Sequence, residues 1–348
     1  MNKLRVAVVG VGHLGQHHAR ILSALPDVEL VGVADASARQ CAKVAAQCGT
    51  PAYEDYQALI SHVDAATIAV PTSAHFAVAS AFLRAGKSLL VEKPLTASVP
   101  QADELVDVAW RHGAILQVGH IERFNPVLQA LPPATEPPRS IEARREGPYS
   151  FRSTDIGVVF DLMIHDLDLV LGLVGEPPVQ VIASAWSVFG TQEDVASAHL
   201  TFCNGAVAHL VANRAGVTPR REMTIRWADS TAELDFAARR SVTSVATAEF
   251  HRERGRFARA RPDEIPALQE AMRSRFFEVT EKDWSGGPEQ LRLELEHFVS
   301  CVRSGTEPIA SGRHGRDAVR LANLVLDAAH QHPASVPLPL PRVSAAAA

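Results

Sequence analysis

The stretch Leu4–Asp35, LRVAVVGVGHLGQHHARILSALPDVELVGVAD, decides the fold of the first part of the chain. A short apolar strand runs directly into three glycines, Gly10, Gly12 and Gly15, and a helical stretch then leads into a second apolar strand. The first glycine permits a tight turn, the second lets the backbone approach a pyrophosphate, and the third lets the helix pack close to the strand. Free N–H groups at the start of the helix favour phosphate. The stretch therefore predicts a dinucleotide-binding unit.

The acid that ends the second strand indicates which dinucleotide is bound. Asp35 lies 20 residues after the third glycine, where a carboxylate can accept hydrogen bonds from the adenosine ribose hydroxyls. The same carboxylate repels a 2′-phosphate, so the pattern favours NAD. Arg39 keeps NADP as the alternative, because a nearby arginine can accommodate that phosphate.

Composition bounds the class of protein. The chain has 348 residues, 47% of them hydrophobic and 21% charged, with a net charge of −5, which fits two ordinary domains. Scattered arginines predict no nucleic-acid partner, and no apolar run reaches the roughly 18 residues of a membrane span. A strand that starts within four residues of the N-terminus leaves no room for a signal peptide. Four cysteines without C-x-x-C spacing, and few ligand-type clusters, predict reduced thiols, a cytoplasmic location and no metal.

Strands and helices keep alternating up to about residue 122. Further strands are predicted over 65–70, 88–91 and 114–118, and helices over 38–48, 56–60, 75–85 and 99–112. Each strand is a continuous apolar run, which is typical of a parallel sheet covered by helices on both faces. The α/β pattern thus predicts a doubly wound dinucleotide-binding domain over residues 1–122. Ligands of such sheets collect at the carboxyl ends of the strands.

Beyond residue 123 the hydrophobic period changes to two. A proline-rich stretch around 132–138 and a helix over 156–174 come first. Period-two segments then cover 179–189, 197–202, 207–213, 222–227 and 232–236, and helices cover 289–303 and 315–330. The pattern predicts a second α/β domain over 123–332 with a mostly antiparallel sheet. The basic run 252–261 is predicted to be a solvated loop, and 333–348 a tail.

Lys93 stands between an acid and a proline at the end of a predicted strand. A partly desolvated lysine there can hold a substrate hydroxyl or exchange a proton with it. An exposed loop lysine paired with Glu92 is an equal alternative.

Asp161, His165 and Asp168 lie on one stripe of a predicted helix, because they are spaced by four and three residues. Their neighbours are apolar. Polar groups on a buried helix are energetically costly unless they form hydrogen bonds or ion pairs, or take part in a reaction. A histidine can accept a proton near neutral pH, and a neighbouring carboxylate would orient it. An ion pair on the helix surface is the alternative.

The segment His120–Pro126 follows the last strand of the predicted first domain. Arg123 and Asn125 suit the recognition of a carboxylate, phosphate or amide. Contacts at a hinge between the domains are an equal alternative for the same side chains.

Taken together, these motifs resemble one oxidoreductase family. They are the glycine pattern, Val70-Pro71-Thr72 followed by His75, the Glu92-Lys93-Pro94 triplet and Asp161-x-x-x-His165. The chain resembles the glucose-fructose oxidoreductase, inositol dehydrogenase and rhizopine-catabolism (Gfo/Idh/MocA) family from residue 3 to about residue 330. The resemblance implies a Rossmann domain followed by an α/β domain whose open, largely antiparallel sheet is often used to form dimers or tetramers.

The resemblance also implies a sugar or cyclitol substrate whose secondary alcohol passes a hydride to the nicotinamide. By this analogy Lys93 polarises the hydroxyl, His165 accepts the proton, and Asp161 holds the substrate or the histidine. Family members differ in whether the lysine or the histidine takes the proton, so this assignment stays open. A regulator that binds NAD without turnover is a further alternative, although it would need none of these three residues.

Two sets of binding residues follow. Cofactor contacts are expected from Gly10, Gly12, His13, Leu14, Gly15, Asp35, Pro71, Thr72, His75, Glu92 and Lys93. Substrate contacts are expected from His120, Arg123, Asn125, Asp161 and His165. The segment 119–126 resembles the branch that acts on nucleotide sugars, such as UDP-N-acetylglucosamine 3-dehydrogenases. In that branch a 3-keto product goes to an aminotransferase for lipid A or other surface glycans, whereas other members of the family oxidise free sugars or inositols.

Overall fold

The structure is a computed structural model that describes residues 2–132, 136–151, 156–257 and 259–331. The predicted tail 333–348 and residues 133–135 of the proline-rich stretch lie outside the described residues.

Six parallel strands form the first sheet. They are β1 (Leu4–Val9), β2 (Val28–Ala34), β3 (Ala52–Tyr53), β4 (Ala65–Ile68), β5 (Ser88–Val91) and β6 (Leu116–Val118). Their spatial order is β3-β2-β1-β4-β5-β6, the doubly wound order of a dinucleotide-binding domain, with its reversal between β1 and β4. Every residue of β4 and β5 is buried, as the continuous apolar runs predicted.

Helices cover both faces of this sheet. They are α1 (Gly15–Ala24), α2 (Ala38–Cys48), α3 (Thr72–Arg84) and α4 (Val99–Arg111). The Ser37 side chain accepts a hydrogen bond from the backbone N–H of Gln40 and caps the start of α2, while Gly49, with φ +64°, ends it. The helix predicted over 56–60 is a 3-10 helix, Tyr56–His62.

The second sheet has eight strands. Two short 3-10 helices, Ile121–Phe124 and Pro126–Ala130, connect it to the first sheet. The strands of the second sheet are β7 (Ser140–Glu146), β8 (Gln180–Trp186), β9 (Val195–Thr201), β10 (Val207–Asn213), β11 (Arg220–Arg226), β12 (Ser230–Asp235), β13 (Arg240–Ala246) and β14 (Phe277–Asp283). The order is β14-β13-β12-β11-β7-β10-β9-β8, and only the β7–β10 pair of this order is parallel. The predicted mostly antiparallel sheet is confirmed.

The sequence did not predict β7, although this strand occupies the centre of the sheet. Charged residues fill four of its seven positions, and one of them, Arg145, points inward with 3% exposure. A buried ionic side chain hides the period-two signal, because the hydrophobic alternation breaks at that position.

The helix predicted over 156–174 is two structures. A π-helical turn, Val159–Met163, precedes α5 (Ile164–Val174), which is buried in the main apolar cluster and packs against the helix Gly312–Gln331. Later helices are α6 (Ala248–Phe257), α7 (Ile265–Ala271), α8 (Gln290–Ser304) and α9 (Gly312–Gln331), with a second π-helical turn at Met272–Phe276. The basic run is solvated, but it is largely helical rather than a loop: α6 buries no residue and its charges pair along the helix surface.

The chain returns to its first sheet at the end. Leu295 and Phe298 of α8 are buried in the same cluster as Val6 of β1 and Ile21 of α1. Helix α9 contacts both α4 and α5. Because α9 also contacts β6 and β8, it joins the two sheets.

Candidate active site

A cavity of about 490 Å³ opens at the carboxyl ends of β1, β2 and β4. It lies at the reversal of strand order, where such sheets bind their ligands. Gly10 and Gly12 line it. A Cβ at Gly10, which has φ +83°, would lie 2.6 Å from the Ala69 backbone, whereas the Cβ position of Gly12 has no atom within 4 Å. The glycines thus leave a backbone-lined space that fits the phosphates of a dinucleotide.

The floor of this cavity carries two acids. Asp35 accepts hydrogen bonds from the backbone N–H groups of Val11 and Ser37, at 2.7 and 2.8 Å, which fix its carboxylate at the end of β2. Glu54 lines the same cavity, while Arg39 is exposed. Two carboxylates suit ribose hydroxyls and repel a 2′-phosphate.

The other predicted cofactor residues occupy different places. Pro71 lines the cavity, Thr72 begins α3, and His13 and Leu14 are exposed in the glycine loop. His75 is 1% exposed, and its ring nitrogens lie 2.8 Å from the Pro94 carbonyl and 2.9 Å from the Val70 carbonyl. Its imidazole therefore ties together the ends of β4 and β5, a positioning role rather than a contact in the cavity.

Lys93 reaches across from the end of β5 to the π-helical turn. Its Nζ donates to the backbone carbonyl of Asp161 at 2.6 Å and to the Asp161 Oδ1 at 3.3 Å. The lysine and aspartate side chains are 16% and 17% exposed. Glu92 instead pairs with His18, at 3.0 Å. The alternative of an exposed lysine paired with Glu92 does not describe this geometry.

His165 stands at the start of α5 beside this pair. Its Nδ1 is buried without a hydrogen-bond partner. Burial lowers the pKa of the imidazole well below its usual value of 6.5, and the positive charges of Lys93 and Arg145 lower it further. The ring is therefore neutral at neutral pH and able to accept a proton.

The expected carboxylate partner of His165 is absent at that nitrogen. The spacing of an α-helix places Asp161 beside His165, but the segment containing Asp161 is a π-helical turn, which changes the angle between successive side chains. Asp161 consequently faces Lys93. Neither an Asp161–His165 contact through Nδ1 nor the surface ion pair describes this structure.

Asp168 and Arg123 form a separate pair. The Arg123 Nε and Nη2 donate to the two carboxylate oxygens of Asp168, at 2.6 and 2.8 Å, and its Nη1 donates to the Ile309 carbonyl at 2.8 Å. These contacts join the segment after β6 to α5 and to the loop before α9. The guanidinium lines a second cavity, of about 390 Å³, between α5 and α9.

Asn125 is also engaged inside the protein. It is 2% exposed, its Nδ2 donates to Glu122 and to the Phe236 carbonyl, and its Oδ1 accepts from Val127. Arg123 and Asn125 thus hold the segment after β6 to α5, to the loop before α9 and to Phe236, and their contact with substrate stays a prediction. His120 is 1% exposed, and its Nε2 lies 3.9 Å from the Asp168 Oδ1.

Sequence reasoning missed two buried clusters. Arg145 donates to Glu122 at 2.7 Å and to both oxygens of Asp166 at 3.1 and 2.8 Å, and all three side chains are buried. Glu294 of α8 is fully buried with both oxygens unpartnered, near Glu92. The first cluster had no usable sequence signal, because the strand that carries Arg145 was not predicted. For the second cluster the signal was a polar residue, Glu294, on the apolar face of α8.

Within the described ranges, no helix is long and apolar enough to cross a membrane. Nor do the His, Cys, Asp and Glu side chains of these ranges form a group of three that could hold a metal ion.

Both parts of the chain match models of one protein family. Residues 4–120 match the oxidoreductase family with an NAD-binding Rossmann fold, GFO/IDH/MocA, and residues 136–233 match the GFO/IDH/MocA C-terminal domain. UDP-N-acetylglucosamine 3-dehydrogenase of Acidithiobacillus ferrooxidans is 44% identical over 237 residues, which cover 68% of this chain and 75% of that protein. Inositol 2-dehydrogenase of Rhizobium meliloti is 26% identical over 92% of this chain and 95% of its own.

Solved structures show the same architecture. A structure of the Acidithiobacillus ferrooxidans enzyme superposes with a TM-score of 0.82 at 35% identity, covering 95% of this chain and 99% of that one. Levoglucosan dehydrogenase in complex with NADH and levoglucosan shares the fold, with a TM-score of 0.79 at 18% identity over 95% of this chain and 98% of that one. The chain belongs to the GFO/IDH/MocA family of NAD-binding oxidoreductases.

Proposed function

We propose that this protein oxidises a secondary alcohol of a sugar nucleotide, and that the substrate is UDP-N-acetylglucosamine, oxidised at C3. The observation that carries the proposal is the contact of Lys93, at the carboxyl end of β5, with Asp161, and the neutral His165 beside this pair. The carboxyl end of β5 is next to that of β4, which borders the dinucleotide cavity. The substrate is suggested by the relative that is 44% identical and bears this activity in its name.

Each side chain has a distinct task in this reaction. A lysine ammonium has three donors. Lys93 uses donors toward the carbonyl and the carboxylate of Asp161, which fixes the direction of its Nζ. A remaining donor can hold the reacting hydroxyl oxygen and stabilise the negative charge that develops as the proton leaves.

Of Lys93 and His165, the histidine is the better acceptor for the substrate proton. The imidazole is neutral because burial and the charge of Lys93 lower its pKa, whereas the ammonium of Lys93 is paired with a carboxylate. Because Nδ1 is enclosed, the substrate proton goes to Nε2. NAD, when bound, is the acceptor of the hydride, which leaves the substrate carbon that bears the reacting hydroxyl.

The test is a substrate panel with NAD and NADP, followed by absorbance of the reduced cofactor. We expect turnover with UDP-N-acetylglucosamine and NAD, and its loss in Lys93→Met. Turnover of inositols or free sugars alone would favour the alternative represented by the inositol dehydrogenases, which align over most of the chain at lower identity. No turnover with any sugar nucleotide or polyol would overturn the proposal.

The same proposal extends to pathway and location. A 3-keto sugar nucleotide is a substrate for an aminotransferase, and the amino sugar would enter lipid A or another surface glycan. The four cysteines are free, which is compatible with the reducing cytoplasm. If cell extracts convert the 3-keto product to an amino sugar in a glutamate-dependent reaction, this supports the order of oxidation followed by amination.

We also expect a homo-oligomer formed through the outer face of the eight-stranded sheet. Ile182, Trp186 and Val207 are about half exposed on the β8 and β10 side of that face. Light scattering of the wild type and of Ile182→Glu tests it: a dimer or tetramer that dissociates in the variant supports the interface, and a monomeric wild type overturns it.

A further inference from the structure

The interior next to the proposed active site holds an imidazole without a partner. His120 follows β6 and is 1% exposed, and both of its ring nitrogens lack a hydrogen-bond partner. Leaving such groups unpaired in the interior is unfavourable, because they lose their hydrogen bonds to water. A buried imidazole with no bonding role is therefore an expensive residue unless the ring takes part in the reaction.

His120 lies beside the face of α5 that carries His165 and Asp168, and these three residues are called the line His165–His120–Asp168. Its Nε2 lies 3.9 Å from the Asp168 Oδ1, a distance that a small ring movement or one water molecule closes. Asp168 and His165 are three residues apart on α5, so their side chains share one face of the helix. The enclosed Nδ1 of His165 also lacks a partner. His120 thus stands beside the helix face that carries both the proposed base and a carboxylate.

The far end of this line reaches solvent. Asp168 and Arg123 line the cavity of about 390 Å³ between α5 and α9, on whose opposite wall are His314, Asp317 and Arg320. The proposed substrate would cover the other end, at the Nε2 of His165. A proton taken from the substrate would then have no direct exit to bulk water while the cleft is filled.

We propose that His120 and Asp168 form a proton relay that connects His165 to the solvent of the cavity between α5 and α9. This inference rests on the proposed function, because it assigns the exit route of the proton that the oxidation releases. His120 and Asp168 act through His165 and are positioning and relay residues rather than groups that touch the substrate.

The relay conserves protons at each step. The C–H bond of the substrate breaks with its electron pair leaving as hydride to NAD, and the O–H proton goes to the Nε2 of His165. The Nδ1 proton of His165 passes through a bridging water to the Nδ1 of His120. The Nε2 proton of His120 then passes by way of Asp168 to cavity water, so one proton leaves for each hydride transferred. Exchange with water resets both tautomers after the product leaves.

Charged groups on every side influence these two rings. His165 faces the positive charges of Lys93, Arg145 and Arg221. For His120, burial lowers the pKa, the carboxylate of Asp168 raises it, and Arg123, Lys93 and His314 lower it. Both rings are therefore neutral at rest, which lets each accept a proton on one nitrogen and release one from the other.

The activity test compares His120→Gln with the wild type and with His297→Gln. Gln keeps hydrogen-bonding groups but cannot carry a proton, and His297 is a partly buried histidine of α8 outside the line. In His120→Gln we expect kcat to fall about tenfold, less than the roughly 10²–10⁴-fold loss of a general base. We also expect KM unchanged, a larger solvent isotope effect on kcat and partial rescue by added imidazole. His297→Gln should show neither the isotope change nor the rescue.

A second measurement does not depend on turnover. Histidine C2–H exchange followed by mass spectrometry reports the pKa of each ring in the NAD-bound protein. We expect the pKa of His165 to rise in His120→Gln and the pKa of His120 to fall in Asp168→Asn. His120→Asn replaces the glutamine variant if the latter does not fold.

The outcomes separate the two proposals. Wild-type turnover with an unchanged kcat and isotope effect in His120→Gln overturns the relay and leaves the proposed function intact. A wild type that is inactive on the whole panel overturns the proposed function. The histidine exchange data then test the relay by themselves: if the pKa of His165 is the same with and without His120, the relay is overturned.

Discussion

Two groups of polar residues around α5 differ in how completely they are paired. Asp166 faces Arg145 and, through it, Glu122, and every charge in this triad has a partner. The other group contains His165 and His120, whose three enclosed ring nitrogens have no partner. The two groups differ although Asp166 and His165 are adjacent residues of α5.

The difference indicates which buried polar residues maintain the structure and which are kept for a reaction. The triad joins the segment after β6 to β7 and α5, and complete pairing offsets the cost of burying its charges. Unpaired nitrogens have no such compensation. We therefore expect the triad to govern stability and the unpaired imidazoles to govern turnover.

The largest effect is expected at the proposed base. Replacing His165 by Asn should lower kcat by about 10²–10⁴-fold, because a general base of this kind contributes that factor. The melting temperature should stay near the wild-type value, since the ring nitrogen that is lost has no partner. Steady-state kinetics and calorimetry measure the two quantities. His112→Asn, an exposed histidine after α4, is the control. A variant that keeps wild-type kcat would remove His165 from the reaction.

The opposite pattern is expected for the triad. Arg145→Met should lower the free energy of unfolding by about 3–5 kcal/mol, because it leaves the Glu122 and Asp166 carboxylates buried without their cation. Arg226→Met removes a solvent-exposed pair with Glu142 on the same sheet and should cost about 0–1 kcal/mol. Denaturant unfolding measures both. Equal losses in the two variants would contradict the structural role assigned to the triad.

Asp35 is an intermediate case, because its carboxylate is paired with backbone N–H groups and also borders the cofactor cavity. Asp35→Ser should weaken NAD binding by about 1.5–3 kcal/mol, the value of a hydrogen bond to a charged group. It should weaken NADP binding less, because a negative charge is removed. Calorimetric titration of both cofactors checks this, with Asp55→Ser as an exposed control. An unchanged preference between the cofactors would exclude Asp35 as the selective group.

Glu294 tests whether every unpaired buried group is functional. Burial raises the pKa of its carboxyl well above the usual value, and the nearby Glu92 raises it further. The folded state therefore holds this proton more tightly than the unfolded state, so the stabilisation is complete below pH 4.5 and is lost as pH rises toward the raised pKa.

Replacing Glu294 by Gln should therefore leave stability unchanged near pH 4 and raise the melting temperature at pH 8. The gain should be on the order of 2–4 °C for each kcal/mol recovered. Thermal melts across pH measure it, with Glu296→Gln, exposed on the same helix, as the control. A stabilised variant with wild-type kcat would show that an unpaired group can be a cost without a catalytic role, whereas a loss of kcat would place Glu294 in the reaction.

Much of the first sheet was predictable because its signals are local. The glycine pattern, the continuous apolar strands and the acid after β2 each act within a few residues, and the structure has α2 and β5 at the predicted bounds. The second sheet was predicted only where alternation is clean. Strand β7 was missed because Arg145 occupies an inward position, and its partners Glu122 and Asp166 are 23 and 21 residues away along the chain.

The sequence by itself determined that the chain has a doubly wound dinucleotide-binding domain and a family-specific set of polar residues, because spacing and residue type encode both. Only the tertiary structure decided the partner of each polar residue. It turned Asp161 toward Lys93 through a π-helical turn, gave Arg123 to Asp168, and left the imidazoles of His120 and His165 unpaired. Such choices depend on the angle between successive side chains and on contacts between distant segments, neither of which is written in the order of the residues.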